Sequence, residues 1–272
     1  DQIAKGANIR RRGENSLAGD TIIAKGTYVD SAAIAALASF GTPRVSVLNK
    51  VRIAILNTGD ELAQPGEPVE DWQIRDSNGP TLKAWLAQLP WAEVTEVQHV
   101  GDTLEQVQAT LKEQLQRVDA IILTGGVSMG DTDYVPKAVE SIGGEIHFHR
   151  LPLRPGRPVL GAARDGKLIL GLPGNPVSVA VTSRVIGLPL LRKMAGLKPI
   201  LVTPPEVTLE ESDDRSLHLV WYRLVEAGAD GKLRLAASKG SGDLVSLARS
   251  VGFVRLPAGD SGCGPWPFYA WE

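Results

Sequence analysis

The 272-residue sequence predicts an α/β protein: a three-layer unit built on a mostly parallel sheet, with a short β-rich segment before it and a small β-barrel after it. Three observations predict it. From Val51 onward, apolar runs of strand length alternate with segments of helical spacing, the pattern of a sheet covered by helices on both faces. Beyond "GLKPILVTPPEV" the helical periodicity stops and short runs of strand character follow one another. Within the central part, the apolar runs end in Gly, Ser, Asp or Asn, as expected where strands stop at a common rim.

Taken in order, "AGDTIIAKGTYVD" reads as a short strand pair turning at Lys25 and Gly26. "SAAIAALASFG" follows as a helix capped by Asp30 or Ser31 and stopped by Gly41. "VRIAILNTG" is then the first buried strand, a helix covers about residues 77–89, "EVTEVQHV" is a strand and "TLEQVQATLKEQLQRV" a helix. "AIILTGG", a helix over 135–142, "EIHFHR", "KLILGLPG" and a long helix through "PVSVAVTSRVIGLPLLRKMAG" complete the alternation. "HLVWYRLVEA", "KLRLAAS", "VGFVRLPAG" and "PFYAWE" are the short strands of the last part. The expected division is 1–48, 49–198 and 199–272.

Charge is nearly balanced, 29 Lys and Arg against 31 Asp and Glu, so there is no global basic field of the kind that binds nucleic acid and any anion site must be local. The single cysteine, Cys263, makes no internal disulfide and no cysteine-rich zinc site. No apolar stretch reaches the roughly 20 residues of a membrane span, and the start has no signal-peptide core. A cytoplasmic protein without membrane or nucleic-acid partners is therefore expected. The first residue is not methionine, which suggests a chain that begins inside a longer one.

Four strand ends carry the chemistry: Thr58, Gly59, Asp60 and Glu61; Gly101, Asp102 and Thr103; Gly125, Gly126, Val127 and Ser128; and Pro173, Gly174, Asn175, Pro176, Val177 and Ser178. In an open parallel sheet all four face one edge. Glycines there admit close backbone approach, helix starts offer N–H groups to anions, and carboxylates can hold a divalent ion that bridges to phosphate. "TGGVSMGDTDYV" also brings Asp131 and Asp133 to the start of a helix.

Each piece has an ordinary explanation as well. Asp102 with Glu105 forms a capping-box pattern, Asp60 and Glu61 fit solvated loop acids, and Asp133 fits a helix cap. Arg154 and Arg157 fit a solvated basic turn, Arg10 to Arg12 a solvated face, and His147 with His149 one face of a strand.

In their order and spacing, "NIRRRGE", "NTGDEL", "IRDSN", "TGGVSMGDTDYV", "PLRPGRPV" and "LPGNPVS" resemble the molybdopterin molybdenumtransferase family, which includes the insertion domain of gephyrin. The resemblance covers nearly the whole chain. It implies a molybdopterin-binding α/β fold, and insertion of molybdate into adenylylated molybdopterin with release of AMP, supported by Mg2+, in a homodimer. It further implies Glu61, Asp102 and Asp133 as catalytic and metal-holding acids. Thr58, Gly59, Asp60, Ser77, Gly125, Gly126, Ser128, Arg154, Arg157, Pro173, Gly174, Asn175, Pro176 and Ser178 would be substrate-binding. The chain departs from the family pattern at Arg154 and Arg157, where lysines are usual, at Asn15, where an acid is usual, and at Val245, where a serine pair is usual. Family members also carry a long region ahead of "NIRRRGE". Three readings follow: the insertion enzyme, a noncatalytic or partial pterin-binding module, and an adenylyltransferase acting on molybdopterin.

Overall fold

A computed structural model of the chain describes residues 3–128, 130 and 133–271; Asp131 lies outside them. After helix α1 (Ser31–Ser39), strand β1 (Val51–Thr58) opens the α/β unit. The short strands β2 (Leu62–Ala63) and β3 (Ile74–Arg75) pair with each other, then α2 (Asn78–Ala87), β4 (Ala92–Val100), α3 (Leu104–Arg117), β5 (Ala120–Thr124) and α4 (Val135–Ser141) alternate. Next come β6 (Glu145–His149), β7 (Leu153–Arg154), β8 (Leu160–Arg164), β9 (Lys167–Leu172), α5 (Pro176–Thr182) and α6 (Leu188–Met194), the last two joined by the wider turns of Ser183–Gly187. The remainder holds β10 (Glu206–Val207), β11 (Val220–Ala227), β12 (Leu233–Leu235), α7 (Leu244–Arg249), β13 (Gly252–Leu256) and β14 (Trp266–Ala270).

The first sheet runs in the order β4-β1-β5-β9-β8-β6. Its first four strands are parallel, while β8 is antiparallel to both of its neighbours. Pairing sets Asn57 opposite both His99 and Thr124, and Thr124 opposite Leu172, so these four residues form one row at the carboxyl ends of four strands. Alternation along β1 divides the core. Ile53 and Ile55 pack with Leu82 and Trp85 of α2, Val179 of α5 and Leu191 of α6. Ala54 and Leu56 face the other way, onto Val107, Leu111 and Leu115 of α3 and Ala138 and Val139 of α4. Helices therefore lie against both faces, which is why the central strands β1, β5 and β9 are mainly apolar.

The second sheet follows the order β10-β14-β13-β11-β12, with β7 added beside β11. Its core of Leu209, Val225, Val254, Leu256 and Trp266 is separate from the first. A small cluster of Val177 and Val181 of α5 with Leu224 and Phe253 joins the two units. Arg184 adds a second tie: its guanidinium lies 5.6 Å from the ring centre of Trp85 and 4.6 Å from that of Trp271, and donates to the Trp271 carbonyl at 3.0 Å. Burial between the indoles lowers its pKa to about 10.

Three expectations are corrected. The strand pair expected within 21–28 is a series of turns, and among the described residues before Val51 there is no strand. Gly19 and Gly26 take positive φ there, and the segment is held instead through the Gly26 carbonyl, which accepts from Lys198 N at 3.0 Å. Helix α7 stands in the last part, where only strands were expected; Asp243 nucleates it by accepting from Val245 N and Ser246 N. The sequence reading also passed over β8, which makes a hairpin with β9 through Asp165 and Gly166, both at positive φ. No helix among the described residues is long and apolar enough to cross a membrane.

Leu111 is fully buried between α3 and the sheet, whereas Leu17 is 68% exposed. Leu111→Ala is expected to lower the unfolding free energy by about 3 kcal/mol through lost burial and the cavity left behind, and Leu17→Ala by under about 0.5 kcal/mol. Chemical denaturation of the two variants measures the contrast.

Candidate functional site

The strand ends lie side by side along one edge in the order Asp102, then 58–61, then Gly125 and Gly126, then 173–176. Three inter-strand steps of about 4.8 Å make this rim about 14 Å long. At the β4 and β1 end, Asp60 and Asp102 are locked reciprocally: Asp60 N donates to Asp102 Oδ2 at 3.1 Å and Asp102 N donates to Asp60 Oδ1 at 3.2 Å. His99 Nε2–H donates to the Gly59 carbonyl at 2.8 Å and fixes the turn from below. The Glu61 carboxylate folds over Gly59, whose φ of 139° is one that glycine adopts readily.

Asp102 is not the helix cap that its spacing to Glu105 suggests. Thr103 takes that role, accepting from Gln106 N at 3.3 Å while its hydroxyl donates to Gln106 Oε1 at 2.9 Å. The Asp102 carboxylate is left for the rim. Partial burial, with Asp60 and Glu61 adding negative charge, raises its pKa above the ordinary carboxylate range. Three acids at one strand end repel one another, and the Asp60 and Asp102 carboxylates are each partly offset by a backbone N–H of the other residue.

In the middle of the rim, Gly125 and Gly126 take φ of 87° and 63°. A Cβ on Gly125 would come within 2.7 Å of the Thr58 carbonyl, so the glycine lets β1 and β5 finish in contact. Thr58 is buried and donates its hydroxyl to the Thr124 carbonyl. Ser128 is exposed. Asp133 does not cap α4, whose N-terminus has no side-chain cap; its Oδ2 accepts from Gly130 N at 2.6 Å.

Beyond β9 the rim opens into a cleft of about 1090 Å³ between the two units, lined by Arg154, Arg157, Pro173, Asn175 and Ser178 from one side and by Trp221 and Arg223 from the other. Gly156 lets the basic turn pass over α5, since a Cβ there would overlap Thr182 Cγ2 at 2.2 Å. Arg223 is ion-paired with Asp213, whose carboxyl it holds far below the usual range, and its guanidinium stacks 4.3 Å from the Trp221 ring centre. Arg154 reaches the same ring at 5.7 Å. No carboxylate pairs with Arg154 or Arg157 among the described residues.

The expected residues thus fall into two groups. Asp60, Glu61 and Asp102 crowd one end; Arg154, Arg157, Pro173, Asn175 and Ser178 line the cleft at the other, and Thr58, Gly125, Gly126 and Gly174 lie between. Asp133 accepts from Gly130 N, and no group of three His, Cys, Asp or Glu among the described residues has metal-holding geometry. His147 and His149 do not form a pair: one approaches Glu145 at 3.6 Å and the other donates to the Val127 carbonyl at 2.7 Å.

Sequence reasoning missed the polar layer beneath the rim. Asn57, Asp76, Asn78 and Thr124 are all buried and hydrogen-bonded to one another, and Ser77 sits among them without a side-chain bond to the α2 terminus. The signal was present: Asn57 interrupts an apolar strand, and Asp76 stands two residues before a helix's first turns.

The sequence profile described as "Probable molybdopterin binding domain" matches residues 54–193, the unit that carries this rim. The chain belongs to this family. Among curated relatives it is 31% identical over 263 residues to the molybdopterin molybdenumtransferase of Staphylococcus aureus strain MRSA252, covering 96% of this chain and 62% of that protein. It is 33% identical over 259 residues to the one from Staphylococcus epidermidis strain RP62A, covering 94% and 61%. The chain spans about three fifths of the length of these relatives. In fold it is similar to a molybdopterin biosynthesis protein from Pyrococcus horikosii, with a TM-score of 0.78 at 24% identity, covering 97% of this chain and 65% of that one. A molybdenum cofactor biosynthesis protein from Pyrococcus furiosus gives 0.68 at 22%, covering 94% and 80%.

A carboxylate whose folded-state pKa is raised costs stability once it ionises, and that cost vanishes when both states are protonated. Asp102→Asn is therefore expected to be neutral or stabilising at pH 7, because an amide oxygen still accepts from Asp60 N. The advantage should fade below about pH 4, where an ordinary Asp is itself protonated. Thermal unfolding of both proteins at pH 7 and pH 3.5 tests it; a loss of stability at pH 7 alone would contradict the electrostatic account.

Proposed function

We propose that the chain forms the catalytic part of a molybdenum-insertion enzyme, which takes molybdate into the dithiolene of adenylylated molybdopterin and releases AMP. One observation carries the reading: a rim with crowded carboxylates at one end runs without interruption into a cationic cleft at the other. An extended anion with a pterin body matches that polarity. In this reading Gly125, Gly126 and the turn at Gly174 and Asn175 offer backbone to the phosphate and pterin, while Arg154, Arg157 and Ser178 receive the molybdate oxyanion. Arginine's planar fork suits a tetrahedral oxyanion differently from the lysine usual in the family.

Mg2+ would be held by Asp102 and Glu61, whose hard oxygens suit an ion that takes one or two carboxylates and leaves the rest of its sphere to water and substrate phosphate. When bound, the ion would offset the charge of the phosphoanhydride. Asp133 would then act from its turn on the far side of the Gly125 and Gly126 loop. We also read the first sheet with its helices as the three-layer unit, 49–198, and the second as the small barrel, 199–272. A homodimer is supported by the exposed apolar side chains Ile3, Ile9, Leu17, Val47 and Leu48.

A second reading, a pterin-binding module without insertion chemistry, is supported by Asn15 in place of an acid and by the lack, among the described residues, of a group of three His, Cys, Asp or Glu with metal-holding geometry. Reconstitution of a molybdenum enzyme from adenylylated molybdopterin, molybdate and the protein separates the two. Insertion is expected, and pterin binding without insertion would favour the module. Asp133→Asn is expected to leave the unfolding midpoint within about 2 °C. It should lower insertion at least about tenfold, equivalent to roughly 1.4 kcal/mol of transition-state stabilisation. Full activity would return Asp133 to a turn-closing role.

A further inference from the structure

We propose that Asn57, Asp76 and Asn78 are positioning residues that fix the 173–176 turn against the rim ends of β1 and β5. Their side chains and the Asn78 backbone form a continuous series of hydrogen bonds that converges on the Asp76 carboxylate. Thr124 Oγ1 donates to Asn57 Oδ1 at 2.8 Å, and Asn57 Nδ2 donates to Asp76 Oδ2 at 2.8 Å. Asp76 Oδ1 accepts from Asn78 N at 2.9 Å and Gly79 N at 3.0 Å, and Asn78 Nδ2 donates to the Gly174 carbonyl at 2.7 Å. Only the last bond leaves the layer. It is also the one that grips the loop between β9 and α5.

Two features mark this layer as more than packing. Asn57, Asp76, Asn78 and Thr124 are 1%, 4%, 6% and 1% exposed, so each bond lies away from water, where polar side chains are costly unless every partner is in place. Yet Asn78 Oδ1 has no partner, and its amide makes a single side-chain hydrogen bond, to Gly174. A buried unpaired acceptor does not serve stability, and an apolar side chain would avoid it. What asparagine supplies at 78 is reach to Gly174. The layer also excludes bulk: a Cβ on Gly79 would lie 2.4 Å from Asn57 Nδ2 and 2.6 Å from Asp76 Oδ2. The loop so held carries Pro173, Asn175 and Pro176, and Gly174 itself lies 3.8 Å, measured from an added Cβ, from Gly125 Cα. Displacing it would part the acid end of the rim from the cleft.

The direction of the bonds allows a reciprocal exchange. Asp76→Asn alone turns a donor toward the Asn57 donor, and Asn57→Asp alone sets two carboxylates face to face. Both changes together recreate every bond, with the charge moved by one residue: the new carboxylate at 57 accepts from Thr124 and from the new amide at 76, whose oxygen still accepts from Asn78 N and Gly79 N. A bulk effect of either side chain would not recover in this way.

The test has one arm independent of the reaction and one that rests on the proposed function. Hydrogen exchange in peptides spanning 172–179 is expected to quicken at least tenfold in Asn78→Ala, with β5 unchanged and the unfolding midpoint within about 2 °C. Unchanged exchange in that loop overturns the inference, whatever the chain binds. In molybdate insertion, Asp76→Asn and Asn57→Asp should each lower kcat/KM at least tenfold, and the double exchange should recover it to within about threefold. If the double exchange restores the unfolding midpoint but not kcat/KM, the layer is structural only. If the unaltered protein inserts no molybdate, the functional reading fails, and the exchange arm still decides the positioning role.

Discussion

Four parallel strands in fixed register set the level at which everything else in the α/β unit is built. Because His99, Asn57, Thr124 and Leu172 stand in one row, each strand must leave the sheet at the same height and enter a turn on the same edge. A parallel strand returns only through a crossover, so each of the first three ends is followed by a loop and a helix start, with the next strand beginning at the opposite edge. Burial of both faces holds the register firmly, since slipping β1 by one residue would exchange Ile53 and Ile55 with Ala54 and Leu56 across the sheet. The polar row is the boundary of that apolar body. Below it side chains are selected for volume; above it, for chemistry.

At that boundary the two ends of the rim are opposite in charge for different physical reasons. The acids at 60, 61 and 102 are brought close by strand order, and partial burial, with the charge of its two neighbours, raises the pKa of Asp102. The cations belong to a turn, at Arg154 and Arg157, and to the second sheet, where Asp213 and the Trp221 ring hold Arg223 in a single place. Such fixed guanidinium groups lose little freedom when an anion arrives, which favours recognition over simple attraction. The cleft exists only where the two units meet, so its cationic lining depends on the packing of α5 against Leu224 and Phe253.

Much of the α/β unit was legible because its pattern is carried by residues that act locally. The runs at 51–58 and 120–124 are mainly apolar, and the Asp30 cap of α1 follows from its spacing. The strand ends likewise showed in the sequence as glycine and acid punctuation. What was missed depends on partners far along the chain or on local signals passed over. The turns at 21–28 have strand-like residues but, among the described residues, no strand that pairs with them. The Asp165 and Gly166 hairpin is a local signal that the surrounding parallel alternation masks. Whether Asp102 or Thr103 caps α3 is a choice between adjacent residues, settled by the bond that Asp60 offers across two strands. The Asn57, Asp76 and Asn78 layer spans the residues from 57 to 174, and no window of sequence displays it.

Arg184 between Trp85 and Trp271 gives the molecule an optical property as well as a mechanical one. Two of its six tryptophans flank a shared cation, one rooted in α2 and the other beyond β14, so the electric field felt by both indoles is set by the contact between the units. Were the second sheet to swing away, one indole would lose its cation and gain water, and its emission would shift without any added label. The joint that shapes the cleft therefore carries its own intrinsic fluorophores.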